Sequence, residues 1–93
     1  MKIRLLDRVW RLLWVKKLDR GDGGTCDHPD ARQKAIRILA DLEPREELRL
    51  LIHESLHACH WWADEEWVDS VSDDIARLLW RCGWRPTKKH RSR

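Results

Sequence analysis

The chain has 93 residues, of which 38% are charged and 42% are hydrophobic, and its formal net charge is +3. This length suits one compact domain rather than two, and the apolar residues cluster in periodic blocks that exclude a disordered chain. No apolar run approaches the ~20 residues of a transmembrane helix, so we expect a cytoplasmic protein that does not span a membrane.

The three cysteines, Cys26, Cys59 and Cys82, favour a reducing compartment. Their number is odd and none of them forms a C-x-x-C pair, which argues against a disulfide framework. The N-terminus also differs from a signal peptide, because Asp7 and Arg8 interrupt its apolar run and no small-residue cleavage site follows. Both features support the cytoplasmic expectation.

Residues 1–18 predict two short strands, at about 2–6 and 9–16, with a turn between them. The segment is rich in residues that favour β-structure, and part of it alternates as a strand does: Trp10, Leu12, Trp14. An apolar stripe at helical spacing is present as well. An amphipathic helix at a membrane surface or a partner protein is therefore the alternative to the hairpin.

Residues 19–33 are predicted to form a loop without regular structure, because they combine three glycines with Pro29 and several aspartates. Residues 34–39 alternate apolar and polar side chains, and they predict a further strand that leads into a helix. A hairpin, a strand and then two helices indicate an α+β fold.

A complete H-E-x-x-H motif occupies residues 53–57. Pro44 suits the first position of a helix, and two acidic residues then suit the positive end of the helix dipole. On this helix His53 and His57 lie one turn apart and can offer two imidazole nitrogens to one metal ion. Glu54 lies about 100° further round, where it can act as a general base on water. The motif is typical of zinc-dependent hydrolysis.

We expect the motif helix to be buried on more than one flank, because it is apolar on several sides. Its principal apolar stripe consists of Leu48, Leu51, Ile52 and Cys59. Burying two histidines and a glutamate without a metal ion or other partners would be costly. The sequence therefore favours metal binding over a purely structural role for these side chains.

A second helix is predicted to begin at the N-cap Asp64 and to end before Gly83. Glu65 and Glu66 suit its first turn, and Gly83 suits the position just past its end. Its expected buried face is a set of residues at helical spacing: Val68, Val71, Ile75, Leu78, Leu79 and Cys82.

A catalytic zinc site needs a third protein ligand and an open position for water. Glu65 is the preferred candidate because it lies at the margin of the expected buried face, whereas Glu66 falls on the wet face. The choice between these two glutamates stays open at this point. Weaker candidates are Asp64, Asp69 and His60.

Basic residues alone carry the charge after Asp74. We expect a single metallopeptidase-like domain at 1–85 and a flexible basic tail at 86–93. Such a tail can contact nucleic acid or an anionic surface, but a solubilising role is favoured over nucleic-acid binding.

The chain resembles the small single-domain zincin-like metallopeptidases of the minigluzincin type and their phage-associated relatives. The resemblance spans about residues 9–85, and the H-E-x-x-H core is its specific part. The matching stretches are Trp10–Val15, Gly24-Thr25-Cys26-Asp27 with Pro29, Lys34–Ile38, LIHESLHA, and DEEWVDSVSDDIARLLWRCGWR.

The resemblance implies that His53, His57 and Glu65 bind Zn²⁺ and that Glu54 is the catalytic base. It implies a small antiparallel or mixed sheet of about three strands packed on the active-site helix, with a C-terminal helix completing the site. Residues 34–39 would then form the edge of a cleft for an extended peptide or protein substrate.

One departure concerns the oxyanion, which gluzincins commonly stabilise with a tyrosine or a histidine. This chain has no tyrosine. His28, Arg37 and His60 are candidates, and none of them can be assigned. The alternative function is a non-enzymatic regulatory or binding protein with a structural zinc site and basic termini that contact nucleic acid or an acidic partner. The oligomeric state stays open.

Overall fold

Four strands and two helices make up residues 1–87, the part of the chain that a computed structural model describes. The predicted α+β fold is confirmed, with four strands rather than about three. In chain order the elements are β1 Lys2–Leu5, β2 Arg8–Val15, β3 Gly24–Cys26, β4 Ala35–Leu39, α1 Pro44–Cys59 and α2 Glu65–Arg81.

The strands form one mixed sheet in the order β1-β2-β4-β3. β1 and β2 pair as an antiparallel hairpin, β2 and β4 run parallel, and β4 and β3 are antiparallel. The hairpin loop is Leu6-Asp7, and both residues have positive φ, at 48° and 64°. This two-residue loop has the φ signs of a type I′ turn, whose twist matches that of the flanking strands. The predicted hairpin is confirmed, with each strand boundary within one residue.

The short strand β3 corrects the prediction that residues 19–33 lack regular structure. Asp27, just after this strand, holds it to β4 through side-chain contacts. Its Oδ2 accepts the backbone N–H of Ala35 at 2.9 Å, and its Oδ1 accepts a hydrogen bond from Arg37 at 2.8 Å. Burial opposes ionisation of Asp27, but these hydrogen bonds outweigh it and hold its pKa below the ordinary value. Three residues show too little periodicity to be recognised as a strand in the sequence.

The position of β4 also corrects an expectation about the cleft. β4 lies between β2 and β3, so it is not an edge of the sheet. The edge strand on this side is β3, which packs directly against α1. Any peptide that extends the sheet here would pair with β3.

The core lies between the sheet and α1. Buried side chains from β2, β4 and α1 meet there, together with one side chain from β3. They are Trp10, Leu12, Cys26, Ile36, Ile38, Leu50 and Ala58. The predicted apolar stripe of α1 is only half-buried and its Cys59 is exposed. The buried face of this helix is instead Glu47, Leu50, His53, Glu54 and Ala58. α1 is thus covered by the sheet and by α2, and its motif residues lie on the covered side.

The predicted buried face of α2 is also wrong in part. Val68 is fully buried, but Ile75, Leu78 and Cys82 are exposed. The other buried residues are the small Ser72 and Ala76, and the Ser72 hydroxyl donates to the Val68 carbonyl at 2.6 Å. Small side chains allow the two helices to approach closely, so size rather than apolarity selects this face.

The ends of α2 agree with the sequence. Asp64 is the N-cap, and its carboxylate accepts the backbone N–H of Glu66 at 3.3 Å. At the other end Gly83 has φ 95°, and the N–H groups of Gly83 and Trp84 donate to Trp80 and Leu79. This is the Schellman arrangement that a glycine past the helix end predicts.

Most of the predicted tail, 86–93, lies outside the described residues, which end at 87. Within 1–87, neither helix has both the length and the apolar composition that crossing a membrane requires.

Candidate metal centre

The two motif histidines point their ring nitrogens at the same place. His53 and His57 lie one turn apart on α1, on the side that faces α2. Their Nε2 atoms are 3.1 Å apart, and the His53 side chain is buried.

Glu65 completes the group from the first turn of α2. Its Oε1 lies 3.2 Å from Nε2 of His53, and its Oε2 lies 3.2 Å from Nε2 of His57. The cap at Asp64 fixes where α2 begins and therefore where this carboxylate lies. Among residues 1–87, the group of histidine, cysteine and acidic side chains that could hold a metal ion is His53, His57 and Glu65.

The spacing of the three ligand atoms suits a small divalent ion. Bonds of 2.0–2.1 Å in a tetrahedral arrangement place ligand atoms about 3.4 Å apart. The two imidazole nitrogens are 3.1 Å apart, and each lies 3.2 Å from a different carboxylate oxygen of Glu65. One ligand atom from each residue lies within 4.8 Å of the others, so a modest side-chain movement would bring all three to bonding distance of one ion.

Asp69 lies behind His53, one helical turn after Glu65. Its Oδ1 is 3.3 Å from Nδ1 of His53, the ring nitrogen that points away from Glu65. Burial, followed by the nearby His57, lowers the pKa of His53, whereas Glu65 and Asp69 oppose that shift. The neutral imidazole favoured by burial is the form that binds a metal. Nδ1 of His53 is buried and makes no hydrogen bond within residues 1–87, so Asp69 acts on this ring through its charge alone.

Glu54 is a buried carboxylate beside this group, with only 6% of its surface exposed. Burial, and then the negative charge of Glu65, raise its pKa to about 7, while Arg49 acts in the opposite direction. Its position is fixed by close packing against β3. A Cβ atom on Gly24 would lie 3.1 Å from both Cγ and Oε2 of Glu54, so any larger residue there would require this side chain to shift by a few tenths of an ångström.

Two cavities meet at the metal centre. The larger, about 530 Å³, extends toward Trp61 and Trp62, and the smaller, about 360 Å³, extends toward Arg49 and Asp69. The walls common to both are Gly21, Glu54, His57 and Glu65. The centre is therefore open to solvent on two sides, which leaves room for water and for a ligand.

The structure brings together all four site residues predicted from the sequence: His53, Glu54, His57 and Glu65. It favours Glu65 over Glu66 by position: both side chains are exposed, but the Glu65 carboxylate lies beside the two histidines, and Glu66 is not in the group found among residues 1–87. Asp64 and His60 are not in the group, and Asp69 touches His53 at the other ring nitrogen.

The three oxyanion candidates lie elsewhere. Arg37 pairs with Asp27, His28 packs on Trp61 with 4.9 Å between ring centroids, and His60 is exposed near Trp67. None of them lines either cavity. The sequence analysis missed Arg49, although its position one helical turn before His53 was a usable signal. The close approach of Gly24 to Glu54 had no signal in the sequence.

In comparisons with protein families, with curated proteins and with solved structures, nothing matches this chain. The functional argument therefore depends on the geometry of the centre.

Proposed function

We propose that this protein is a zinc-dependent peptidase in which His53, His57 and Glu65 hold the metal and Glu54 is the general base. The observation that carries this proposal is the convergence of His53, His57 and Glu65 from two helices, with one ligand atom of each within 4.8 Å of the others, beside the buried carboxylate of Glu54. Each of these features has a direct chemical use in the hydrolysis of an amide bond.

Zinc is the metal that the ligand set fits best. Two imidazoles and one glutamate form a combination found in catalytic zinc sites, and Zn²⁺ has no geometric preference that this group would violate. When bound, Zn²⁺ supplies Lewis acidity that polarises the substrate carbonyl and makes water a better nucleophile.

Glu54 is placed to move the proton. It lines both cavities, so a water molecule near the metal centre would lie within reach of its carboxylate. In this role it takes a proton from the attacking water and then delivers it to the amine of the broken peptide bond. The packing of Gly24 against Glu54 keeps the carboxylate aimed at the cavities.

The edge strand β3 is the natural support for a peptide. Its outer edge is unpaired with any other strand of the described sheet, and Gly24 and Cys26 are buried beside the metal centre. An extended peptide that adds to this edge would place its backbone next to Glu54. We therefore propose β3 as the peptide support in place of residues 34–39, which do not form an edge of the sheet.

The open geometry favours catalysis over a structural zinc site. Structural zinc is usually enclosed by four protein ligands, whereas catalytic zinc keeps a position for water. Here three ligands are present among residues 1–87, and two cavities adjoin them. A non-enzymatic binding protein with a structural zinc has no specific observation in its favour.

The test compares Glu54→Gln with wild type on a library of denatured proteins, using mass spectrometry to detect new peptide termini. Wild type is expected to cleave, and Glu54→Gln is expected to bind zinc equally and to lose at least about 100-fold in rate. Glu66→Gln is the matched control, because it removes an exposed neighbouring carboxylate outside the group. Equal cleavage by wild type and Glu54→Gln, or no cleavage by wild type loaded with zinc, would refute the proposal.

A further inference from the structure

The larger cavity is lined by aromatic side chains as well as by the acidic groups of the candidate metal centre. Opposite Glu54, His57 and Glu65 it is lined by two consecutive indoles, Trp61 and Trp62. Trp62 is 83% exposed, although an indole is a costly group to leave in water. An exposed aromatic surface that adjoins a reactive centre is typical of a ligand-binding site.

The indoles belong to a small aromatic cluster with His28. The His28 ring lies 4.9 Å from Trp61 and 6.3 Å from Trp62, in tilted and edge-on arrangements. His28 is itself held in place, because its Nδ1 accepts the backbone N–H of Asp30 at 3.0 Å. Trp61 is half-buried against the core. The Trp61 part of the wall is therefore held in place before any ligand arrives, which reduces the entropy cost of binding there.

We propose that this cavity is a specificity site that takes an aromatic side chain of the substrate, next to the bond that is cleaved. The inference rests on the proposed peptidase function and adds the class of substrate. The cavity, at about 530 Å³, lies within the size range of small-molecule sites. It shares Glu54 and His57 with the metal centre, so a side chain inside it belongs to a residue near the reacting carbonyl.

The cavity carries charges of both signs, so its lining matches neither an acidic nor a basic side chain well. Glu54 and Glu65 oppose an acidic side chain, whereas Arg20 offsets the attraction that these carboxylates and the indoles exert on lysine or arginine. Among neutral side chains, aromatic rings gain edge-on or offset contacts with the indoles that aliphatic side chains do not make.

The experiment measures binding without cleavage. Zinc-loaded Glu54→Gln is titrated calorimetrically with capped alanine pentapeptides that carry phenylalanine or leucine at the central position. We expect phenylalanine to bind about 2- to 10-fold more tightly than leucine, as an aromatic pair predicts. Trp62→Ala in the same background is expected to bring the ratio of phenylalanine to leucine close to one.

Trp84→Ala is the matched control, because Trp84 is also exposed, at 63%, and does not line the cavity. It should keep the phenylalanine preference. Equal binding of phenylalanine and leucine, no binding of any peptide, or a preference that survives Trp62→Ala would overturn the inference.

Cleavage by wild type is measured separately on the same peptides, so that the two proposals fail in different ways. Cleavage without aromatic preference would refute the specificity site and support the peptidase function. Aromatic preference in binding without any cleavage would refute the peptidase function and support an aromatic binding site.

Discussion

At the scale of single residues, Glu54 shows a conflict between folding and chemistry. A carboxylate that is 6% exposed beside Glu65 is poorly placed for stability, and its pKa of about 7 records that cost. The same burial makes it a stronger base at neutral pH once substrate arrives. A side chain kept at a stability cost is expected where function requires it.

Replacing Glu54 with glutamine should therefore stabilise the metal-free protein. Its pKa is raised on folding, so the protonated form is preferred in the folded state and stability falls as pH rises from about 4 to 7. In the presence of a chelator, Glu54→Gln should exceed wild type by about 2–3 kcal/mol at pH 8 and equal it at pH 4, as measured by urea unfolding. The exposed control Glu66→Gln should stay within about 0.5 kcal/mol of wild type at both pH values. A destabilised Glu54→Gln at pH 8 would contradict the assignment of a buried, unfavourable charge.

A substitution at Gly24 tests whether the cleavage rate depends on the position of the Glu54 carboxylate. A methyl group there would lie 3.1 Å from Glu54 and 3.2 Å from Ile38, so the carboxylate must shift by a few tenths of an ångström. Gly24→Ala is expected to keep zinc and to lower the cleavage rate by about 10-fold, since small misplacements of a catalytic group are expensive. Elemental analysis and a steady-state assay on the same preparation separate the two effects. A variant with an unchanged rate would show that β3 does not position the base.

At this scale the sequence predicted the parts of the centre that follow helical geometry. His53 and His57 are related by one turn, and the position of Glu65 on α2 follows from its cap. Gly24 was not predictable as a contact of Glu54, because that contact depends on how a three-residue strand packs across the chain on a helix. Asp69 was weighed as a ligand and instead lies at the other nitrogen of His53, a distinction that needs coordinates.

At the scale of elements, the start of α2 is the point where local structure controls the metal centre. Asp64 caps the helix and Glu65 is its first residue, so loss of the cap would release the third ligand as well as the first turn. The ends of the helices were predictable because caps are local. The inward faces were not, because Ser72 and Ala76 are selected by close packing and not by apolarity.

Removing the cap should affect stability and metal binding together. Asp64→Ala is expected to cost about 1 kcal/mol in unfolding free energy and to weaken zinc binding several-fold, because Glu65 becomes less ordered. Asp64→Ser should restore both, since serine also caps. Asp74→Ala, which removes an exposed aspartate paired only with Arg77, is the control for loss of charge. Zinc affinity is measured by competition with a chromogenic chelator, and unchanged affinity in Asp64→Ala would separate the cap from the centre.

At the scale of the whole molecule, the candidate metal centre lies between α1 and α2, where the hydrophobic core is small. The buried hydrophobic cluster connects the sheet with α1, whereas α2 contributes few large apolar side chains to the interior. Several of its apolar residues are exposed, including Leu78 at 61%. A metal held by α1 and α2 would therefore add a contact where hydrophobic packing is weakest.

The sequence predicted this architecture correctly in class and only partly in detail. Periodicity identified β4 and both helices, because each of these elements is long enough to show a repeat. It left residues 1–18 ambiguous between a helix and the hairpin, and the resemblance helped to favour the hairpin. It could not reveal the order β1-β2-β4-β3, since strand order depends on contacts between segments that are distant in the chain. For this reason the edge of the sheet was assigned to residues 34–39 instead of β3.

The strongest consequence for the whole molecule is a dependence of stability on zinc. At free zinc about 100-fold above the dissociation constant, binding to the folded state alone adds about 2.7 kcal/mol, which raises the melting temperature. Thermal unfolding of wild type with zinc and with chelator should show this shift, whereas His57→Ala should melt at the same temperature in both. A shift that persists in His57→Ala would place the metal elsewhere.

The most direct test of the central claim is the zinc content of purified protein by elemental analysis. Wild type and Glu66→Ala are expected to retain about one zinc per chain, and His57→Ala and Glu65→Ala are expected to retain little, because each loses one of three ligands. A wild type without stoichiometric zinc after loading, or full zinc in both ligand variants, would contradict the account.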